Sequence, residues 1–369
     1  MKKALLLVLL LKIGNNTCPA QPAADTITWQ QTVVISNEPI PAGADSTWGF
    51  YGHYGSEYAR LLHLSDGTWL AGYTVSTNKG YREDSTGGLH LQISKSSDGG
   101  KHWTVFSSIE DAGRDLDNAQ LIQLKDGSIL LACRSVRWQE SYRLPVYKST
   151  DGGKSWQYLS TIDSNEGKPG ELGHPDKGAY EPHLYLLDDG RLSVMYANEK
   201  HVSETPSYSQ IIAQKTSDNG GKTWGKENWV AYEEGHNTSR PGMPVWTKMQ
   251  NGNYIIVYEI CGPEKCNIYY KKSTDGISWP AGLGTRIQDQ LGGPFILSLP
   301  NGNLLVTSNS SNISLSKDFG LHWQTINAAF NHSLWPAMYV FGKGEIGVVS
   351  AQKRPEGGNS VLLKFGTFK

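Results

Sequence analysis

The chain has 369 residues carrying 34 basic and 35 acidic side chains, so its formal net charge of -1 offers no electrostatic footprint for a polyanion such as nucleic acid. Its 41 glycines, 17 prolines, 12 tryptophans and 18 tyrosines favour many short strands joined by tight turns and leave little for helices. Length alone leaves open one large all-β domain or two average ones.

The N-terminus reads as an export signal over residues 1–24. Lys2 and Lys3 precede an apolar run from Ala4 to Leu11, and the small-residue stretch Pro19 to Ala24 follows. Lys12 limits the apolar run to about eight residues, too few to span a bilayer, and no later segment is long and apolar enough. A secreted or periplasmic protein is expected. Cys18 would be the lipid-bearing residue of a lipoprotein, but Asn15-Asn16-Thr17 before it lacks the usual small, apolar context.

Downstream, two short repeats alternate. One is an apolar strand, a turn dipeptide and a second apolar strand. Its turns are Asp66-Gly67, Asp126-Gly127, Asp189-Gly190, Asn251-Gly252, Asn301-Gly302 and a degenerate Lys343-Gly344. Such dipeptides between apolar runs signal β-hairpins. The other repeat is Ser/Thr-x-Asp-x-Gly-x-x-Trp, an Asp box. It runs from Ser96 to Trp103, Ser149 to Trp156 and Ser316 to Trp323; Thr216 to Trp224 matches with one residue inserted, and Ser273 to Trp279 with one deleted. In such a turn the Asp accepts backbone N–H bonds, Gly takes positive φ, and Trp packs beneath. The hairpins recur every 42 to 63 residues, about the size of a four-stranded blade. Six hairpins with five boxes between them predict an all-β, six-bladed β-propeller. The segments Ile27 to Ser36 and Val361 to Phe368 would close the ring in a shared blade. No linker interrupts residues 25–369, so a single domain is expected. Cys261 and Cys266 flank Gly-Pro-Glu-Lys, a loop that a disulfide could staple. Cys133 lies in an apolar run and reads as a buried thiol. No Cys/His cluster has zinc spacing, and neither a metal nor another cofactor is expected.

In each blade the first hairpin strand runs from one face of the ring to the turn, and the second returns. Eight positions before each turn stand Tyr58, Asn118, Glu181, Met243, Gly293 and Trp335. Seven past each turn glycine stand Thr74, Arg134, Ala197, Glu259, Asn309 and Ala351. These positions share the mouth of the central channel, so Glu181 of blade three and Glu259 of blade four would meet at equal depth. A carboxyl pair is the apparatus for cleaving a glycosidic bond, and two close carboxylates push their pKa values apart into an acid and a base. The same spacing also fits two solvated or Arg-paired rim glutamates. Arg60, Arg134 and Arg240 could reach the channel as substrate contacts or as ion-pair partners, with Asp117 and Asn118 binding hydroxyls. Trp335 is the expected stacking platform. Tyr258 adjoins the pair with His183 and Trp246, unless strand alternation turns them into the blade. Glu199, two residues past a mouth position, rivals Glu181.

Asp boxes in a six-bladed frame resemble the sialidase superfamily, and within it several stretches look most like glycoside hydrolase family 93, the exo-arabinanases. They are Tyr58-Ala-Arg60 continuing to Asp66-Gly67 and Leu70 to Thr74; Asp117 to Leu121 with Leu131 to Arg134; Tyr180-Glu181-Pro182; and Ile256 to Glu259. They cover blades one to four. The resemblance implies a retaining enzyme with Glu181 as acid/base and Glu259 as nucleophile, removing arabinobiose from the end of α-1,5-linked arabinan. A poly- or oligosaccharide would then be the partner of a monomeric enzyme. Two other readings stand beside it. An exo-sialidase needs three arginines on the substrate carboxylate, a Tyr nucleophile polarised by Glu, and an Asp acid; Arg60, Arg240 and Arg354 are available, but an Arg-Ile-Pro start to blade one and a late-blade Tyr nucleophile are missing. A non-catalytic carbohydrate-binding propeller would lack the close carboxylate pair.

Overall fold

The computed structural model describes residues 25–39, 54–76, 88–173, 177–235 and 238–368; the expected signal at 1–24, with Cys18, lies outside them. The described residues form 24 strands and one 3-10 turn, Lys200–Ser203. Strand β1 (Ile27–Ser36) comes first and is used last. Blade one is β2 (Gly55–His63), β3 (Trp69–Ser76), β4 (His90–Ser96) and β5 (Thr104–Ile109). Blade two is β6 (Asp115–Gln123), β7 (Ile129–Arg137), β8 (Ser141–Ser149) and β9 (Gln157–Glu166). Blade three is β10 (Ala179–Leu186), β11 (Leu192–Asn198), β12 (Ile211–Ser217) and β13 (Asn228–Ala231). Blade four is β14 (Arg240–Lys248), β15 (Tyr254–Cys261), β16 (Asn267–Ser273) and β17 (Thr285–Leu291). Blade five is β18 (Phe295–Ser298), β19 (Leu304–Thr307), β20 (Asn312–Ser316) and β21 (Gln324–Asn327). Blade six is β22 (Leu334–Gly342), β23 (Glu345–Lys353), β24 (Asn359–Phe368) and, outermost, β1, which pairs antiparallel with β24. This is the six-bladed propeller with a shared closing blade that the repeats predict. Blades six and one also touch through the backbone pair Gly55 and Asn359.

All six hairpin turns have their glycine at positive φ, from Gly67 at 88° to Gly344 at 77°. The Asp boxes lie at the same end of each blade as these turns, because the third strand runs parallel to the first. In the first box, Asp98 Oδ1 accepts from the backbone N–H of Lys101 (3.1 Å) and His102 (3.0 Å), and Ser96 Oγ accepts from Gly100 N–H (2.9 Å). The fourth blade's box is one residue short, as its sequence shows. The third differs from expectation. No residue is inserted: Ser217 Oγ accepts from Gly221 N–H (2.9 Å) and Asn219 Oδ1 from Thr223 N–H (3.0 Å), so the box starts at Ser217 with Asn in place of Asp.

The boxes also fasten blade to blade. A Cβ on Gly153 of blade two would stand 2.9 Å from Leu70 of blade one, and one on Gly221 of blade three 3.2 Å from Leu130 of blade two. Gly276 meets Leu187 in the same way (3.1 Å), Gly320 meets Ile255 (3.2 Å), and Gly100 meets Phe341 of blade six (2.7 Å). Each glycine thus lets its turn lie flat on the apolar face of the preceding blade. Buried Leu, Ile and Val from facing sheets fill the space between.

At the other end of the blades the first hairpin is interrupted in the same way five times. Pairing skips two residues between Glu57 and Arg60, Asp117 and Gln120, Tyr180 and His183, Gly242 and Val245, and Leu334 and Ala337. At each skip one residue adopts a left-handed backbone: Tyr58 (φ 50°), Asn118 (58°), Glu181 (58°), Met243 (51°) and Trp335 (47°). Blade five has Gly293 (51°) just ahead of β18. These bulges break strand alternation and turn six side positions toward the ring's axis. A left-handed non-glycine residue costs about 1–2 kcal/mol, and five at one repeat position mark a constraint other than stability.

Candidate active site

The bulges build a small polar pocket lined by Tyr58, Asp117, Asn118, Arg134, Glu181, Met243 and Trp335. Five of these seven are the left-handed residues. In blades four, five and six the residue at this position donates its backbone N–H to a side chain of the preceding blade. Met243 N–H donates to Glu181 Oε2 (2.5 Å), Gly293 N–H to Glu259 Oε2 (2.7 Å), and Trp335 N–H to Asn309 Oδ1 (2.7 Å). Blade n therefore supplies the side chain and blade n+1 fixes it.

Glu181 and Glu259 converge beside Gly242. A Cβ on that glycine would lie 3.3 Å from Glu181 Oε2 and 3.9 Å from Glu259 Oε1. Oxygens of the two carboxyls are thus both within 4 Å of one point. Burial raises both pKa values above the ordinary carboxyl range. Glu259 is pushed up to about 7, first by burial and then by the Glu181 charge, against the opposing pull of the Gly293 N–H and of Arg240. Glu181 is raised chiefly by burial, opposed by the Met243 N–H and by Arg134. A pair so placed holds a proton between its members near neutral pH.

Around the pair, Asp117 is fully engaged. Its Oδ1 accepts from Thr74 Oγ1 (2.5 Å) and Asn118 N–H (2.6 Å), and its Oδ2 from Arg134 Nη2 (2.7 Å). Asp117 therefore sets the Arg134 guanidinium, which faces the pocket. Asn118 is 5% exposed, and its Oδ1 has no protein partner, as befits a group waiting for a ligand hydroxyl. The Trp335 indole lies against Gly293, whose Cβ would stand 2.8 Å from Trp335 Cδ1; Tyr58 is its tilted neighbour at 6.3 Å.

Five expected residues stand elsewhere. Arg60 does not reach the channel: it is 2% exposed, 4.0 Å beneath the Tyr58 ring, and donates to the carbonyls of Ala59 and Trp335. Tyr258 is turned into blade four by strand alternation, with its hydroxyl on the Leu283 carbonyl, and Trp246 is buried with it. His183 is buried and held neutral, its pKa at about 3 through burial and the nearby Arg60. Arg240 is ion-paired with Glu199, and its Nη2 also reaches Gln210 Oε1 (3.1 Å). That pairing occupies Glu199, the rival acid. Cys133 is a buried thiol whose pKa burial raises.

Sequence spacing missed Gln210 and Glu57. Gln210 Nε2 would stand 2.9 Å from a Gly242 Cβ and donates to the Pro241 carbonyl (2.8 Å), but it precedes β12 and belongs to no hairpin position. Glu57 is buried beside the first bulge, with its pKa raised to about 8 by burial and by Asp117. Its signal was adjacency to Tyr58. The Cys261–Cys266 disulfide is formed, so the grouping of Glu259 with these sulfurs offers no thiolate for a metal.

The BNR repeat-like domain model matches residues 23–220, more than half of the chain. The chain belongs to the BNR repeat-like domain family. The BNR repeat-like match ends within blade three, so Glu259 and Trp335 lie beyond it. Among solved structures the fold is similar to the glycoside hydrolase family 93 α-L-arabinofuranosidase of Fusarium graminearum with arabinobiose, at 22% identity and TM-score 0.75 over 91% of this chain and 97% of that one. It is similar to the Penicillium chrysogenum α-L-arabinanase complexed with arabinobiose, at 24% identity and TM-score 0.74 over 92% and 98%. Likeness extends to the NanB sialidase from Streptococcus pneumoniae, at 12% identity and TM-score 0.60 over 90% and 70%. No curated protein matches. Among the described residues, Arg60, Arg240 and Arg354 do not assemble the arginine grip of a sialidase. Arg60 is buried, Arg240 is paired with Glu199, and Arg354 holds Asn37 and the Glu38 carbonyl at the closing seam.

Proposed function

We propose that the protein is a retaining, exo-acting glycoside hydrolase of α-1,5-L-arabinan that releases arabinobiose. The observation that carries this is the meeting of two carboxyls with raised pKa values beside Gly242, one of which, Glu181, lines the polar pocket. Glu181, protonated, donates to the leaving glycosidic oxygen. Glu259, ionised, attacks the anomeric carbon through Oε1, the oxygen that Gly293 leaves free. The leaving group departs with the proton, and a glycosyl ester forms on Glu259. Glu181, now a carboxylate, takes a proton from water as that water attacks the same carbon, which restores both groups and retains configuration. The Glu181 and Glu259 oxygens lie 3.3 and 3.9 Å from one point, which caps their separation at a range that includes the value of about 5–5.5 Å for a retaining pair; retention itself is taken from the family resemblance. Arg134 and Asn118 face the pocket as hydroxyl ligands, and Trp335 offers a ring face. The choice of arabinan rests on the likeness of fold to the two enzymes crystallised with arabinobiose.

The disulfide suits an oxidising compartment, in keeping with export by residues 1–24, and no described helix is long and apolar enough to cross a membrane. A monomer is consistent with the exposed large apolar residues. Val34, Val105, Tyr158, Leu291 and Leu321 each stand in a different blade and make no common patch. The decisive test is hydrolysis of linear arabinan by wild type, Glu181→Gln and Glu259→Gln, with NMR of the first-formed anomer. Wild-type release of arabinobiose with retained configuration, lost in both variants, is expected. An active Glu259→Gln enzyme, or an inverted product, would remove the mechanism.

A further inference from the structure

The disulfide lies where hydrolysis asks for none. Cys261 is two residues past Glu259 in β15, so both side chains leave the strand on one side, and Cys261 Sγ lies 3.5 Å from Glu259 Oε1. A half-cystine sulfur has no proton to give, so this is packing against the oxygen. The other oxygen, Oε2, accepts from Gly293 N–H (2.7 Å). The preceding Gly292 N–H donates to the carbonyl of Cys266 (2.8 Å), and the Gly292 carbonyl accepts from Asn309 N–H (2.9 Å). Both oxygens of Glu259 thus answer to one six-residue loop, Cys261 to Cys266. Its first sulfur walls one oxygen, and its last carbonyl anchors the dipeptide that grips the other. Gly292 and Gly293 lie at φ 63° and 51°, and a Cβ on either would meet Asn309 at 3.0 or 3.1 Å. The relay runs through backbone with no room for side chains.

We propose that the Cys261–Cys266 crosslink is a positioning device for Glu259, holding the carboxylate in its attacking rotamer and keeping water off Oε1 from the side of β16. This rests on Glu259 as the nucleophile for its consequence in turnover, but the positioning itself does not. Without the crosslink, the loop that carries the Cys266 carbonyl relaxes, Gly293 N–H loses its fixed direction, and Oε1 becomes hydrated.

The test reads Glu259 directly. The full chain is labelled with 13C at glutamate carboxyls, the Glu259 signal is assigned with Glu259→Gln, and its titration is followed in wild type and in Cys261→Ala/Cys266→Ala. Burial is the largest cause of the raised pKa and outweighs the loss of the Gly293 N–H bond, so the titration midpoint should fall by about one pH unit or more toward the ordinary carboxyl range as water enters. An unchanged midpoint in a folded variant overturns the proposal, whatever the protein hydrolyses. Should the double variant fail to fold, wild type reduced in place with a water-soluble phosphine serves instead. The phosphine and one water become the phosphine oxide as the disulfide becomes two thiols, and the same fall is expected. On an aryl α-L-arabinofuranoside, loss of the crosslink should lower kcat about tenfold or more and leave KM within about twofold. A rise in KM with kcat intact would assign the loop to substrate binding and defeat the device. Loss of turnover in wild type itself would defeat the proposed activity and leave the titration to decide this question.

Discussion

Gly242 is the residue on which the two carboxyls depend. It does not sit in the left-handed region, so alanine meets no backbone penalty there; only space is at issue. The nearest atom to an added Cβ is the end of the Gln210 side chain, which can swing away; Glu181 Oε2, at 3.3 Å, must then give by a few tenths of an ångström, while Glu259 Oε1, at 3.9 Å, stays in ordinary contact. Gly242→Ala is expected to lower kcat several-fold through the displaced Glu181 with little change in melting temperature; an unaffected kcat would show the pair is not set by this contact. The pH profile follows from the same two groups. Glu259 must be ionised to attack, so kcat/KM should fall as pH drops below about 7, and Glu181, also pushed up, must keep its proton, so activity falls again on the alkaline side. A plateau reaching down to the usual carboxylate range would contradict the assignment of Glu259, and the absence of an alkaline fall that of Glu181. The positions of Glu181 and Glu259 were legible in the sequence because hairpin turns count distance from the mouth. The tasks of Arg60 and Tyr258 were not. Whether a side chain at that depth faces the channel or the blade is decided by where the bulge interrupts alternation, and a bulge leaves no mark in residue type when its left-handed member is Tyr, Met or Trp.

Among the elements, the Asp boxes and the bulges divide the blade between them. The boxes were readable as turns from their Ser, Asp, Gly and Trp, and the misplaced start at Thr216 shows the limit of that reading. An Asn doing the Asp's work at position 219 hid the true register. What the motif could not reveal is that its glycine is pressed on the neighbouring blade. Gly153 has φ 90°, and a Cβ would stand 2.9 Å from Leu70. Gly153→Ala should therefore destabilise by about 1–3 kcal/mol, from left-handed strain and crowding together, and leave kcat/KM unchanged, because the box is at the turn end of the blade. Equilibrium unfolding beside steady-state kinetics checks both halves. A stable variant would show that the turn does not bear on blade two's neighbour. The bulges behave in the opposite sense. Their five left-handed side chains weaken the fold and are kept because they make the pocket.

For the whole molecule, closure at the seam of blades one and six sets a pH dependence. Glu57 is buried there, accepts from Asn359 Nδ2 (3.4 Å), and has its pKa raised to about 8 by burial and Asp117. A carboxyl whose folded pKa lies above its unfolded one contributes stability that is complete below the ordinary value of 4.5 and is lost as pH rises through about 8. Glu57→Gln should therefore flatten the fall of melting temperature between those limits, without abolishing it, since Glu259 titrates in the same sense. An unaltered slope would remove Glu57 from the account. The seam itself was foreseen, because β1 and β24 read as lone strands at opposite ends of the repeat array. Blade six takes its inner three strands from the C-terminal stretch and its outer one from the N-terminal stretch, so the strand that completes the circle is synthesised after every other. Until β24 leaves the ribosome the five earlier blades are an open fan with two bare end faces, and β1 has no neighbour to bind.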